Sequence, residues 1–127
     1  MKHILLVEDD EDIQSIYKEI LQHHFDVKLS QAFDGRQGLA AVRREKPDLI
    51  ILDILMPVMS GDEFLKEFRL TAEFRDVPVI VCSVNQTLAN NLHRQGLANA
   101  VMPKLFAQRD LIELVVRFLG IHPKTKK

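Results

Sequence analysis

Cysteine is almost absent: Cys82 is the single one in 127 residues, so no internal disulfide can form. That usage agrees with a reducing compartment. Long apolar runs are missing too, and no stretch approaches the roughly 20 apolar residues of a membrane-spanning helix. The run after Met1-Lys2-His3 is only Ile4-Leu5-Leu6-Val7, too short for the core of a signal peptide. No excess of one charge exists, since 17 Lys and Arg face 18 Asp and Glu. That balance argues against a nucleic-acid or membrane partner. No Gly-x-x-x-x-Gly-Lys string is present, which excludes a P-loop nucleotide site. No Ser-His-Asp or Cys-His arrangement stands out. The histidines (His3, His23, His24, His93 and His122) share no metal-site spacing, and surface positions are expected for them. A soluble, cytoplasmic protein is the expectation.

What is present is a core and an alternation. Apolar residues make up 46% of the chain, enough for one domain. That domain is expected to cover residues 1–121. Residues 122–127 form a basic tail, with Lys124, Lys126 and Lys127 around Thr125, expected to be solvated. Ile4 to Val7 and Leu49 to Leu52 are wholly apolar and read as strands buried on both faces. Val27 to Ala32, Val79 to Cys82 and Ala100 to Met102 read as three more strands. Helical spacing links Ile13, Ile16, Tyr17, Ile20 and Leu21, then Leu39 and Val42, then Phe64, Leu65 and Phe68. Asp34 can cap the second of these helices, and Pro47 lies beyond its end. Leu88 to Gln95 is a weaker helix closed by Gly96, and Leu111 to Leu119 is a last one with Gly120 beyond it. Strand and helix alternate five times, which implies a parallel sheet between helices.

Sites in open parallel sheets form beyond the carboxyl ends of the strands. Glu8 and Asp9 follow the first strand, Asp53 the third, Ser83 the fourth and Lys104 the fifth. Acids at a helix start also suit the helix dipole and alone need no ligand. Asp53 at the end of a second buried strand changes that reading. Three carboxylates brought together repel one another, and a hard divalent cation such as Mg²⁺ relieves the repulsion. An Asp carboxylate is then a competent nucleophile toward phosphorus, giving an acyl phosphate. Cys82, in an apolar strand, reads as a buried structural thiol.

Glu8-Asp9-Asp10, then Asp53-Ile54-Leu55-Met56-Pro57 with Gly61, then Pro78 to Ser83 carry a resemblance to a known family. The chain resembles the receiver domain of two-component response regulators over nearly its whole length. The resemblance implies a flavodoxin-like, doubly wound (βα)5 fold with a five-stranded parallel sheet in the order 2-1-3-4-5 and helices on both faces. It implies Asp53 as phosphoacceptor, Glu8 and Asp9 as acidic pocket, and Mg²⁺ or Mn²⁺ as cofactor. Asp9, Asp53 and the backbone carbonyl of Leu55 would face the metal, with Glu8 acting through water. Ser83 would close on the phosphoryl group and Lys104 would pair with its oxygens.

The sequence departs from the family in three places. The usual Lys-Pro after the fifth strand is inverted to Met102-Pro103-Lys104-Leu105. The favoured reading is that the long Lys104 stem still reaches the site after a one-residue insertion; the alternative is a different loop. The fifth strand, Ala100-Val101-Met102, lacks the aromatic that many receivers turn inward on activation. Val84 stands where Ala or Gly is usual and is expected to shield the phosphoryl group. Asn85 is expected to position attacking water.

These residues imply a stand-alone, phosphorylated signalling module rather than an enzyme. Its own chemistry would be limited to self-phosphorylation from small donors and autodephosphorylation. A histidine kinase or phosphotransfer domain would be the donor and an unidentified protein the output. A homodimer could form through the fourth helix, fifth strand and last helix. The alternative is a pseudo-receiver that binds protein without phosphorylation. An Asp-dependent phosphatase is rejected because Leu55 occupies the place of the second Asp.

Overall fold

The apolar runs Ile4 to Val7, Leu49 to Leu52 and Val79 to Cys82 form strands covered on both faces. In a computed structural model that describes residues 1–104 and 106–124, five strands alternate with five helices. These are β1 (Lys2–Val7), α1 (Glu11–His24), β2 (Val27–Ala32), α2 (Gly35–Arg44), β3 (Leu49–Leu52), α3 (Gly61–Leu70), β4 (Val79–Ser83), α4 (Gln86–Arg94), β5 (Ala100–Pro103) and α5 (Gln108–Leu119). All pairings are parallel, and the strand order is β2-β1-β3-β4-β5. The expected flavodoxin-like topology is therefore present.

Strand alternation divides the apolar residues between two cores. Leu5, Val7, Ile50, Leu52, Val79 and Val81 face α2, α3 and α4. Ile4, Leu6, Leu49, Ile51, Ile80 and Cys82 face α1 and α5. Cys82 is buried, as expected. Helix starts are capped by local side chains: Asp10 for α1, Asp34 for α2, Asn85 for α4, and a Ser60–Glu63 capping box for α3. Gly120 closes α5 in the left-handed conformation, with φ of 65°.

One expectation needs correction, and two features carry no signal in the sequence. His3 and His24 are buried, not on the surface. His3 lies within β1, and its Nε2 meets the Ser30 hydroxyl at 2.7 Å; His24 meets Gln108 at 2.8 Å. A 3-10 turn over Ala72–Phe74 follows α3 and had no signal in the apolar pattern. Lys124 is not free: its backbone N–H donates to the His24 carbonyl at 2.6 Å, and its ammonium donates to the Gln22 carbonyl at 3.0 Å. The start of the basic tail thus lies along the end of α1, while Thr125, Lys126 and Lys127 lie outside the described residues, as does Leu105.

The loop after β3 depends on Gly61. Its N–H donates to the Ile54 carbonyl at 2.7 Å. A Cβ there would collide with the Asp53 carbonyl oxygen and lie 2.6 Å from Ile54 Cα. The spacing from Asp53 to Gly61 is therefore set by a backbone-on-backbone approach that only glycine permits. Gly61→Ala is expected to destabilise the fold by about 1–3 kcal/mol, read as a lower thermal midpoint; an unchanged midpoint would show that the loop yields freely.

Candidate functional site

Backbone pairing continues one residue past β1 and β3 and sets two acids side by side. The Glu8 N–H donates to the Ala32 carbonyl at 3.0 Å, and the Asp53 N–H donates to the Val7 carbonyl at 2.9 Å. Glu8 and Asp53 are buried, at 1% and 5% exposure, while Asp9 is exposed. One carboxylate oxygen from each of Glu8, Asp9 and Asp53 lies within 4.8 Å of the others. Such an all-oxygen set fits a hard divalent cation.

A cation of the chain itself reaches the same place. The Lys104 ammonium donates to Glu8 Oε1 and lies 3.1 Å from Asp53 Oδ2. Burial opposes its charge, but the two carboxylates outweigh burial and hold its pKa above the ordinary value. Glu8 also accepts the Asp10 N–H at 3.1 Å. Burial and the neighbouring Asp53 charge, only partly offset by Lys104, push the Glu8 carboxyl up to about 7. Lys104 reaches the acids despite the inverted Pro103-Lys104 order, in line with the favoured reading. It directly follows Pro103, which ends β5 in register with Ser83.

Ser83 is fully buried at the end of β4, and its Oγ accepts the Asn85 N–H at 3.0 Å. Val84 is 68% exposed at the same edge. Asn85 has a role the sequence did not reveal: its Oδ1 caps α4 by accepting the Leu88 N–H at 3.0 Å. Leu55 lies half-exposed in the loop after Asp53. In β5, Val101 is half-buried, and the nearby aromatic contact is a Tyr17–Phe106 stack with ring centroids 5.2 Å apart.

Two glutamines escaped the sequence reading. Gln14, 1% exposed, donates through Nε2 to the carbonyls of Leu6, Glu8 and Ala32 at 2.9–3.1 Å. It fastens the ends of β1 and β2 beneath the acids. A polar residue beside the apolar stripe of α1 was the available signal. Gln86 makes a similar pair of bonds at the ends of β4 and β5. As the first residue of α4 it offered no signal.

A doubly wound parallel sheet, with an acidic pocket and a lysine at its carboxyl edge, defines a class of signalling receiver domains. A family model described as the response regulator receiver domain matches residues 4–116, and the chain belongs to that family. The transcriptional regulatory protein CpxR of Klebsiella pneumoniae is 36% identical over 114 residues, which is 88% of this chain and 47% of CpxR. Hybrid signal transduction histidine kinase D of Dictyostelium discoideum is 31% identical over 91% of this chain but only 7% of its own length. The chain thus spans about half or less of the curated relatives it matches. Response regulator TrrA of Thermotoga maritima, solved with Mg²⁺ and BeF, superposes with a TM-score of 0.82 at 30% identity, covering 93% of this chain and 99% of TrrA. Among the described residues, no helix is long and apolar enough to cross a membrane.

The raised Glu8 pKa has a defined consequence in metal-free protein. The folded state holds the proton more tightly than the unfolded state, so this contribution is complete below the ordinary 4.5 and is lost as pH rises through about 7. Glu8→Gln is therefore expected to stabilise the chelated protein at pH 8 by up to about 3 kcal/mol, with the gain vanishing toward pH 4. Thermal melts across pH check this, and a gain that persists at pH 4 would refute it.

Proposed function

We propose that this chain is a cytoplasmic receiver that accepts a phosphoryl group on Asp53 from a histidine kinase or phosphotransfer domain, in the presence of Mg²⁺ or Mn²⁺. A carboxylate oxygen of Asp53 attacks phosphorus in line. The bond from phosphorus to the donor's leaving group breaks as the new P–O bond forms. Asp9, Asp53 and the Leu55 carbonyl would hold the cation directly and Glu8 through water. When bound, the cation supplies positive charge between the acids and the phosphoryl oxygens. Lys104 supplies the chain's own positive charge, exchanging its carboxylate partners for phosphoryl oxygens. Ser83 gives its hydroxyl to the phosphoryl group, leaving the Asn85 N–H.

The observation that carries this reading is the Lys104 ammonium between Glu8 and Asp53. The inverted Pro103-Lys104 order and the missing fifth-strand aromatic are the support for the pseudo-receiver alternative, and this placement weighs against the first of them. An apolar groove of about 270 Å³, lined by Ile13, Ile16, Ile20 and Phe106, runs up to Lys104. It supports docking of a donor domain beside the acceptor. Output passes by phosphorylation-dependent protein contact through the α4–β5–α5 face, which is also the proposed homodimer surface.

Incubation with acetyl phosphate and Mg²⁺ is expected to add one phosphoryl group to the wild type and none to Asp53→Asn, read by intact mass; chelation should abolish the adduct. An adduct on Asp53→Asn would refute the acceptor. Val84 shields the acyl phosphate, so Val84→Ala should shorten its lifetime several-fold. Asn85 acts through its amide nitrogen, so Asn85→Asp, which keeps the capping oxygen, should lengthen it. Equal decay rates in all three proteins would remove both roles.

A further inference from the structure

Ser83 and Lys104 both face the phosphoryl group in the reading above, yet they stand on different strands. Their relative position depends on how the carboxyl ends of β4 and β5 are joined. The last pair in that register is Ser83 with Pro103, and proline has no N–H to offer across the strands. Gln86, the first residue of α4, reaches back over this gap. Its Nε2 donates to the Ser83 carbonyl at 2.6 Å and to the Met102 carbonyl at 3.3 Å. Both acceptors are main-chain carbonyls, so only a two-proton donor satisfies them together. The Cys82 thiol adds a weaker tie to the Pro103 carbonyl at 3.3 Å. Burial raises that thiol to about 11, which keeps it protonated and a donor.

We propose that Gln86 is a positioning residue for the phosphoryl site: its amide clamps the ends of β4 and β5 and so sets Ser83 and Lys104 relative to each other. This rests on the Asp53 phosphoacceptor reading. Pro103, with its fixed φ, is the only residue between the clamped Met102 carbonyl and Lys104, so the clamp acts on a stiff arm. Helix formation does not require the contact, because Asn85 already caps α4. The clamp also joins α4 to both strand ends, in a fifth strand that offers Val101 in place of an aromatic ring.

The test is the rate of Asp53 phosphorylation by acetyl phosphate and Mg²⁺ in the full chain, with thermal melts alongside. Gln86→Leu removes the donor, Gln86→Glu replaces it with a carboxylate facing two carbonyls, and Gln86→Lys restores a donor to both. The first two should react about tenfold more slowly, since small misplacement of reacting groups has effects of that order or larger. Gln86→Lys should stay near the wild-type rate. A residue that merely packed or capped the helix would shift the melts but leave the Leu and Lys variants equally reactive, and that result overturns the proposal. Wild-type rates in Gln86→Leu and Gln86→Glu also overturn it. Should Gln86→Leu not fold, the Glu and Lys pair gives the same comparison. An unreactive wild type would instead overturn the Asp53 reading and this one with it.

Discussion

Like charges crowd one end of the sheet, and most of the local architecture manages that fact. Parallel pairing of β1 with β3 puts Glu8 beside Asp53, and the turn into α1 adds Asp9. Two of these carboxylates are buried, where water cannot screen them. Lys104 compensates only partly, and burial still pushes the Glu8 carboxyl up to about 7. A pocket left in this condition favours whatever brings positive charge. That preference is the physical basis of the proposal that the pocket takes a cation and then a phosphoryl group.

The neighbouring structure keeps these groups in place against their own repulsion. Gly61 lets α3 begin directly against the Asp53–Ile54 backbone. Gln14 gathers three carbonyls at the ends of β1 and β2. Gln86 does the same for β4 and β5 with two. Each amide adds donors to carbonyls at strand ends, where the ladder is stopping. Amides suit this task because they donate twice and add no charge to an already charged edge. The surrounding loop holds its own strain: Val58, a β-branched residue, has φ of 68° one position after Pro57.

The membership of the family rests on the matched length and the fold. The relatives illustrate the range, since the same unit occurs in a transcriptional regulator and in a hybrid histidine kinase. In this chain β5 carries no aromatic ring and Val84 is exposed at the carboxyl edge of the sheet.

Local pattern alone determined the order of the strands and α-helices, some of the helix ends and the family. Apolar runs of four and helical stripes are decided by residues close in sequence, and the Asp53-to-Gly61 motif is contiguous. Asp34 capped its helix and Gly120 ended its helix as their residue types dictate. Tertiary structure alone decided the burial of His3 and His24, the reach of Lys104 and the work of both glutamines. Each depends on contacts between residues far apart in the chain: Lys104 with Glu8, Gln14 with Ala32, His24 with Gln108, and Gln86 with Met102. Hydrogen-bond partners of this kind leave no periodicity in the sequence. They come into being only when parallel pairing and right-handed crossovers bring the strand ends to one edge.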